Sequence, residues 1–198
     1  MNSPASDRYD ERGQQILDWL ALTRPRHATA AGIIGAEVGV FTGELSLYLL
    51  DRRDDLVLLM VDSWAAPHPD APYVKSGDLH ATMAQDVQQE VMRLATERVA
   101  GFAAVARARI MHMESTAAAM TIDDGTLDFV FIDADHSYEG VMADLAAWAP
   151  KLRPGGLLCG HDYGNEWLPK VGASVKRAVD EFLGCEPQLG ADMTWRRV

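Results

Sequence analysis

The stretch Phe131-Ile132-Asp133-Ala134-Asp135-His136-Ser137-Tyr138-Glu139-Gly140 passes from two bulky apolar side chains straight into acids and an imidazole. Other apolar runs end in the same way. Glu37 closes "AAGIIGAE", Asp62 closes "LVLLMVD", Glu114 follows "ARIMHM", and His161-Asp162 follow "LLCG". Such groups can accept protons, ligate a metal, or hold cationic and hydroxyl-bearing ligands. One acid at the end of a strand is often no more than a cap for the next helix. A whole bank of them is a candidate site, because clustered carboxylates raise one another's pKa unless a cation compensates them.

These residues can meet only if the apolar runs are strands of one sheet. Between the runs lie segments with helical periodicity: "FTGELSLYLLDRR" with Thr42 as candidate N-cap, residues 78–100 as one long helix, "STAAAM" as a short helix with Ser115 at its cap, and "SYEGVMADLAAWAPKL". Strands alternating with helices predict a parallel sheet covered on both faces, with ligands at the carboxyl ends of the strands. "EPQLG" and "MTWRRV" add two short closing strands with an antiparallel return. The expected fold is α/β, a Rossmann-like three-layer sandwich with a mostly parallel seven-stranded sheet whose last strand is antiparallel. Ahead of it, Ile16, Trp19 and Leu20 mark a leading amphipathic helix that ends before Arg24-Pro25, after a polar, mobile start over residues 1–9. Residues 1–30 are thus expected as a helical leader or lid and residues 31–198 as the main domain. The proline-rich loop from Ala65 to Asp78 is expected to cover the site.

Bulk properties narrow the function classes. A chain of 198 residues with 48% apolar content makes about one domain with a substantial core. A formal net charge of −11 argues against a phosphate-backbone partner, so no nucleic acid is expected. No window approaches the roughly 20 apolar residues of a membrane span, and no apolar leader stands at the N-terminus. Cys159 and Cys185 form neither a disulfide framework nor a metal-ligand spacing. A soluble cytoplasmic protein is expected.

The run Glu37-Val38-Gly39-Val40-Phe41-Thr42-Gly43 lets the backbone come close to a ligand at its glycines, yet it is not GxGxxG. Glu37 would repel a pyrophosphate, so a cation is the better partner. Asp62, ending the next strand, suits the hydroxyls of a ribose. Together they describe a nucleoside ligand that carries positive charge and no phosphate. A nucleotide-dependent oxidoreductase of the NAD type is the rival, and a non-catalytic cofactor-binding module is another.

Through "EVGVFTG", "VDSW" and "FVFIDADHSYEGVMADLAAWAPKLRPGGLLCGHDYG" the chain resembles the class I S-adenosylmethionine-dependent methyltransferases, within them the small-molecule O-methyltransferases acting on sugars and macrolides. The resemblance spans roughly residues 31–185. It implies methyl transfer from S-adenosylmethionine to a hydroxyl of a small-molecule acceptor, a sugar or polyketide-like compound. It places Glu37 on the methionine ammonium, Gly39 and Gly43 at the loop, Asp62 on the ribose, and Ser63, Glu114 and Ser115 near the adenine, with Asp133 bordering the donor. Metal-dependent members imply a divalent cation, Mg, Mn or another, on Asp133, His161 and Asp162. His161 departs from the acidic or amide residue usual there, and imidazole suits Zn, Fe, Ni or Mn better than Mg. The general base of such members maps to Asp135 or His136, and His136, poised near neutrality, is preferred. Related enzymes often self-associate, which makes a homo-oligomer an expectation too.

Overall fold

The computed structural model describes residues 4–23 and 32–198, with side chains from Asp10 onward in the first helix. The expectations for residues 1–3 and for 24–31 lie outside the described residues. Helix α1 (Pro4–Thr23) begins earlier than the polar start suggested, because Pro4 is well suited to a first helical turn. Then come β1 (Ile33–Val38), α2 (Glu44–Arg52), β2 (Leu56–Asp62), α3 (Pro72–Lys75), α4 (Gln85–Ala104), β3 (Ala108–His112), α5 (Ser115–Ala119), β4 (Leu127–Ile132), α6 (Tyr138–Trp148), β5 (Leu152–Gly160), α7 (Pro169–Leu183), β6 (Gln188–Leu189) and β7 (Trp195–Arg196).

The sheet has seven strands in the order β3-β2-β1-β4-β5-β7-β6. Strands β1 to β5 run parallel, and β7 pairs antiparallel with both β5 and β6. This is the Rossmann-like arrangement expected from the alternating runs. Side chains alternate across the pleat, so Phe129 and Phe131 pack on one face with α1, α2 and α4, while Val130 and Ile132 pack on the other with α5, α6 and α7. Every residue of β4 is buried, which explains why residues 129–132 are an unbroken apolar run rather than an alternating one, and the buried Asp128 is compensated by the Ile34 N–H and Arg153. Helix α1 is part of this construction, since Ile16, Trp19 and Leu20 belong to the same core as α2 and α4.

Three local expectations change. Ser115 is the first residue of α5 rather than its cap, a position held by Glu114, because the Ser115 hydroxyl is committed to Asp144 and Trp148. Residues 78–100 are not one helix: a short 3-10 turn at His80–Thr82 precedes α4, because the Asp78 carboxylate accepts the His80 N–H at 2.8 Å and turns the chain inward. Thr42 does not cap α2. Gly43 holds that position in the left-handed region, with φ 79°, and the Thr42 hydroxyl donates to Glu44 instead.

The register sets the polar strand ends level. Val38 lies beside both Val61 and Ile132, and Ile132 lies beside Gly160. The ladder runs one residue further, with Asp133 N donating to Val38 O at 2.8 Å, Gly39 N to Val61 O at 2.9 Å and His161 N to Ile132 O at 3.1 Å. Gly39 has φ 90°, and a Cβ there would stand 2.1 Å from the Asp133 carbonyl oxygen. Any side chain at 39 therefore pushes the β1 loop away from the end of β4. Gly39→Ala is expected to lower unfolding stability by about 2 kcal/mol or more, measured in urea; an unchanged midpoint would mean that these ends can part without cost.

Candidate active site

A cavity of about 720 Å³ opens along the carboxyl ends of the strands, where an α/β sheet of this kind binds its ligands. Glu37, Gly39, Asp62, Ser63, Glu114, Ser115, Asp133, Asp135, His136, His161 and Asp162 all line it. Gly43 shapes the loop from behind, its α-carbon so close to α4 that a Cβ would lie 3.2 Å from Ala95 Cα.

At one end, Glu37 is buried and accepts a hydrogen bond from the Ser46 hydroxyl. Burial outweighs that bond and pushes the Glu37 carboxyl up to about 8. Asp62 is committed mainly to the protein: Oδ2 accepts the N–H groups of Val40 and Phe41, each at 2.9 Å, and Oδ1 accepts that of Trp64 at 2.8 Å. It clamps the glycine loop onto β2, and Oδ1 keeps acceptor capacity toward the cavity. Glu114 is exposed at the start of α5. The Ser115 hydroxyl donates to Asp144 and accepts from Trp148 Nε1 at 2.8 Å, so it chiefly joins α5 to α6. Asp144, buried beneath it, is pushed up by desolvation to about 7.

At the other end, one donor atom from each of Asp133, His136 and Asp162 lies within 4.8 Å of the other two. His136 Nε2 stands 3.1 Å from Asp133 Oδ1 and 3.1 Å from Asp162 Oδ2. Each of these residues is also held from behind. Asp133 Oδ2 accepts from Arg12 at 2.8 Å, Asp162 Oδ1 accepts from Asn165 Nδ2 at 2.6 Å, and His136 Nδ1 faces Asp78 Oδ2 at 2.7 Å. Neighbouring ligands of an octahedral cation bonded at about 2.1 Å stand about 3.0 Å apart, so the spacing and the oxygen and nitrogen donors fit a small divalent ion. Without such a cation a proton does the same work. Burial disfavours the charged ring, but hydrogen bonds to Asp133 and Asp78 and the charge of Asp162 prevail, and His136 is raised to about 10. An imidazole that keeps its proton that far up cannot accept another at neutral pH, which weighs against His136 as the base.

His161 stands outside this trio. Its Nε2 lies 2.8 Å from Arg12 Nη2, and a guanidinium can only donate. Burial opposes a charged His161 ring while Asp133, Asp162 and Asp192 favour one, the net being upward. The Arg12 contact is the shortest of these and decides the arrangement: Nε2 accepts, and Nδ1–H faces Asp162 Oδ1 at 3.3 Å. The sequence reading named Asp133, His161 and Asp162 as ligands; the donor atoms that lie together are those of Asp133, His136 and Asp162, while Nε2 of His161 is taken by Arg12. Asp162 itself has φ 60°, a left-handed conformation that Asp tolerates and that the Asn165 bond stabilises.

Asp135, the other base candidate, accepts the Ser137 N–H at 2.7 Å and so forms part of the entry to α6. Tyr138 and Glu139 begin that helix, as their spacing implied. Tyr163 is buried and donates to Asp180 at 2.6 Å, whereas Trp167 is 80% exposed at the rim of the cavity.

Arg12, Asp78, Asn165 and Asp192 escaped the sequence reading. Arg12 left a signal, since it precedes Ile16 by one helical turn and shares the inward stripe of α1. Its guanidinium also binds Asp192 Oδ2 through Nε and Nη2, both at 3.0 Å. Asp78, Asn165 and Asp192 sit in turns, where no periodicity marks an inward side chain.

A Rossmann-like sheet with a buried acid beside a glycine loop and an acid–imidazole cluster across one cavity defines an α/β enzyme. The family model described as a methyltransferase domain matches residues 36–163, and the chain belongs to that family. Among solved structures it is similar to the O-methyltransferase NovP, with 20% identity, 96% of this chain and 79% of that chain covered, and a TM-score of 0.58. CalS11, a calicheamicin methyltransferase, shows 14% identity over 100% of this chain and 93% of its own, with a TM-score of 0.58. PaMTH1, a methyltransferase of Podospora anserina solved with SAH bound, shows 11% identity over 99% and 88%, with a TM-score of 0.59. At these identities the likeness is one of fold. No curated protein matches the sequence. Among the described residues no helix is long and apolar enough to cross a membrane.

The raised pKa of Glu37 has a sign that can be measured. The folded state holds this proton up to about 8, against 4.5 for an ordinary glutamate, so the group weakens the fold as pH climbs through that window and leaves a buried charge above it. Ligand-free Glu37→Gln is expected to match the parent protein at pH 5 and to melt at least ~4 °C higher at pH 9. Equal melting at pH 9 would remove the buried charge from this account.

Proposed function

We propose that the chain transfers the methyl group of S-adenosylmethionine to a hydroxyl of a small molecule, with a divalent cation held by Asp133, His136 and Asp162. One observation carries this reading: three donor atoms, each braced from behind, converge in the cavity that also holds the Glu37 glycine loop. S-adenosylmethionine brings an ammonium, a sulfonium and ribose hydroxyls without phosphate. Glu37 takes the ammonium and ionises as it does so. Gly39 and Gly43 let the loop backbone approach, Asp62 Oδ1 accepts from the ribose, and Ser63, Glu114 and Ser115 border the adenine.

In the transfer, the acceptor oxygen forms a bond to the methyl carbon as the carbon–sulfur bond breaks, sulfur keeps the electron pair, and the hydroxyl proton is lost to water. The sulfonium supplies the leaving group, so the protein's task is alignment. A divalent cation, when bound, lowers the pKa of an alcohol and orients it. The imidazole among the donors suits Mn, Fe, Ni or Zn better than Mg. Helix α1, through Arg12, and the segment 65–84 wall the site from water. Trp167 offers a flat apolar face to a ring-bearing acceptor such as a sugar or a polyketide-like alcohol.

Calorimetric titration at pH 7 with S-adenosylhomocysteine is expected to show binding with release of up to one proton, read from the dependence of the heat on buffer ionisation, and Glu37→Gln abolishes that release. Binding of NAD without S-adenosylhomocysteine would overturn the donor assignment. With S-adenosylmethionine and a panel of sugars and phenols, mass spectrometry is expected to detect a methyl ether. Chelator, Asp133→Asn and Asp162→Asn are each expected to lower kcat/KM at least ~100-fold; activity indifferent to all three would remove the cation from the mechanism.

A further inference from the structure

We infer that Asp78 is a positioning residue: carried into the site by the covering segment, its carboxylate holds Nδ1–H of His136 and thereby aims Nε2 at Asp133 and Asp162. The inference deepens the metal-assisted reading above and rests on it for the role of Nε2. Its basis is geometric. Between residues 65 and 84 the chain is largely exposed or half-buried, and Ser76, Asp78 and Ala81 are its buried members. An acid buried within an otherwise solvated excursion needs compensation from the surface it docks on.

Asp78 receives that compensation in full. Oδ1 accepts the backbone N–H of His80 at 2.8 Å and lies 3.2 Å from His80 Nδ1. Oδ2 accepts the Tyr73 hydroxyl at 3.0 Å and faces His136 Nδ1 at 2.7 Å. The Ser76 hydroxyl accepts the Asp78 N–H at 3.1 Å, which fixes the backbone at the turn. Tyr73, Ser76 and His80 all belong to the same excursion, so its internal bonds aim one carboxylate at one ring.

The consequence lies in the tautomer. A carboxylate accepts only, so the ring nitrogen facing Asp78 carries hydrogen, and Nε2 is presented to Asp133 and Asp162, with a proton where no cation is held and with a free lone pair once a cation displaces that proton. A carboxylate behind a ligating imidazole fixes ring and tautomer in this way in metal sites generally. What sets this chain apart is where the carboxylate comes from. The braces of the other two ligands, Arg12 on α1 and Asn165 ahead of α7, belong to a core helix and to the β5 exit, whereas Asp78 belongs to the cover. Docking of the cover and orientation of the imidazole ligand are therefore one event: an undocked segment 65–84 leaves both the cavity open and the third ligand unaimed.

The test uses the full chain and Mn2+ as probe, with three measurements on Asp78→Asn. Calorimetric Mn2+ titration is expected to give a dissociation constant about 10- to 100-fold higher than in the parent protein. Affinity for S-adenosylhomocysteine is expected to stay within about twofold, since Glu37, Gly39 and Asp62 lie on the sheet and a general loss of structure would weaken it too. With diamagnetic Zn2+ in place of Mn2+, the 15N spectrum of the histidine rings is expected to show hydrogen on Nδ1 and none on Nε2 of His136 in the parent protein and to lose that pattern in the variant. Should Asp78→Asn fail to fold, Tyr73→Phe removes one donor from Oδ2 and is expected to weaken Mn2+ about two- to fivefold. Unchanged Mn2+ affinity together with an unchanged His136 spectrum would overturn the role of Asp78. A parent protein that binds no Mn2+ yet keeps a slowly exchanging Nδ1–H on His136, whose exchange quickens in Asp78→Asn, would overturn the metal reading and support the positioning contact.

Discussion

Much of the structure depends on the ionised carboxylate of Asp133, buried at the end of a strand that is itself buried on both faces. Its backbone N–H completes the ladder to Val38, its carbonyl presses on Gly39, one carboxylate oxygen takes Arg12, and the other faces His136. A charge in that position is tolerated only when opposite charge and hydrogen bonds surround it. That requirement draws a guanidinium from α1 and an imidazole from the entry to α6 into one place. Burial works against ionisation of Asp133, yet the Arg12 guanidinium and the hydrogen bonds of the His136 and His161 rings hold its carboxyl well below the usual range. The cluster is thus built around charge compensation within the protein itself.

The two ends of the cavity use acids in opposite ways. Glu37 has a hydroxyl for its nearest partner and stays protonated to about 8, so it waits for a cation. Asp78 and Asp133 face cationic partners and stay ionised. The oxygens of Asp62 are filled largely by backbone N–H groups, and its first duty is to hold the glycine loop level with β2. Carboxyl groups of like chemistry differ in protonation and in partners according to what surrounds each of them.

Much of this was legible from residue order. The apolar runs that end on Glu37, Asp62, Asp133 and His161-Asp162 are strands of one sheet with level ends, because alternating strand and helix permits little else. Local periodicity failed where tertiary demands overrode it. The stripe from Leu79 to Leu94 read as helix, yet the chain needs Asp78 inside the site and breaks the pattern with a 3-10 turn, leaving Leu79 exposed. Arg12 carried a faint signal on the α1 stripe. Asn165 and Asp192 carried none, because turn residues reveal which way they point only once the elements around them are packed.

By itself, the sequence determined the class of fold, the edge on which chemistry gathers and the acids that end its strands, since those follow from periodicity and chain order. It also marked the loop before Asp78 as a cover. The tertiary structure alone decided what each of the two imidazoles in the cavity is bonded to. His161 and His136 both follow buried strands, but the Arg12 guanidinium occupies one ring and the Asp78 carboxylate aims the other. Those partners stand 149 and 58 residues away along the chain, and contacts of that separation leave no trace in local spacing.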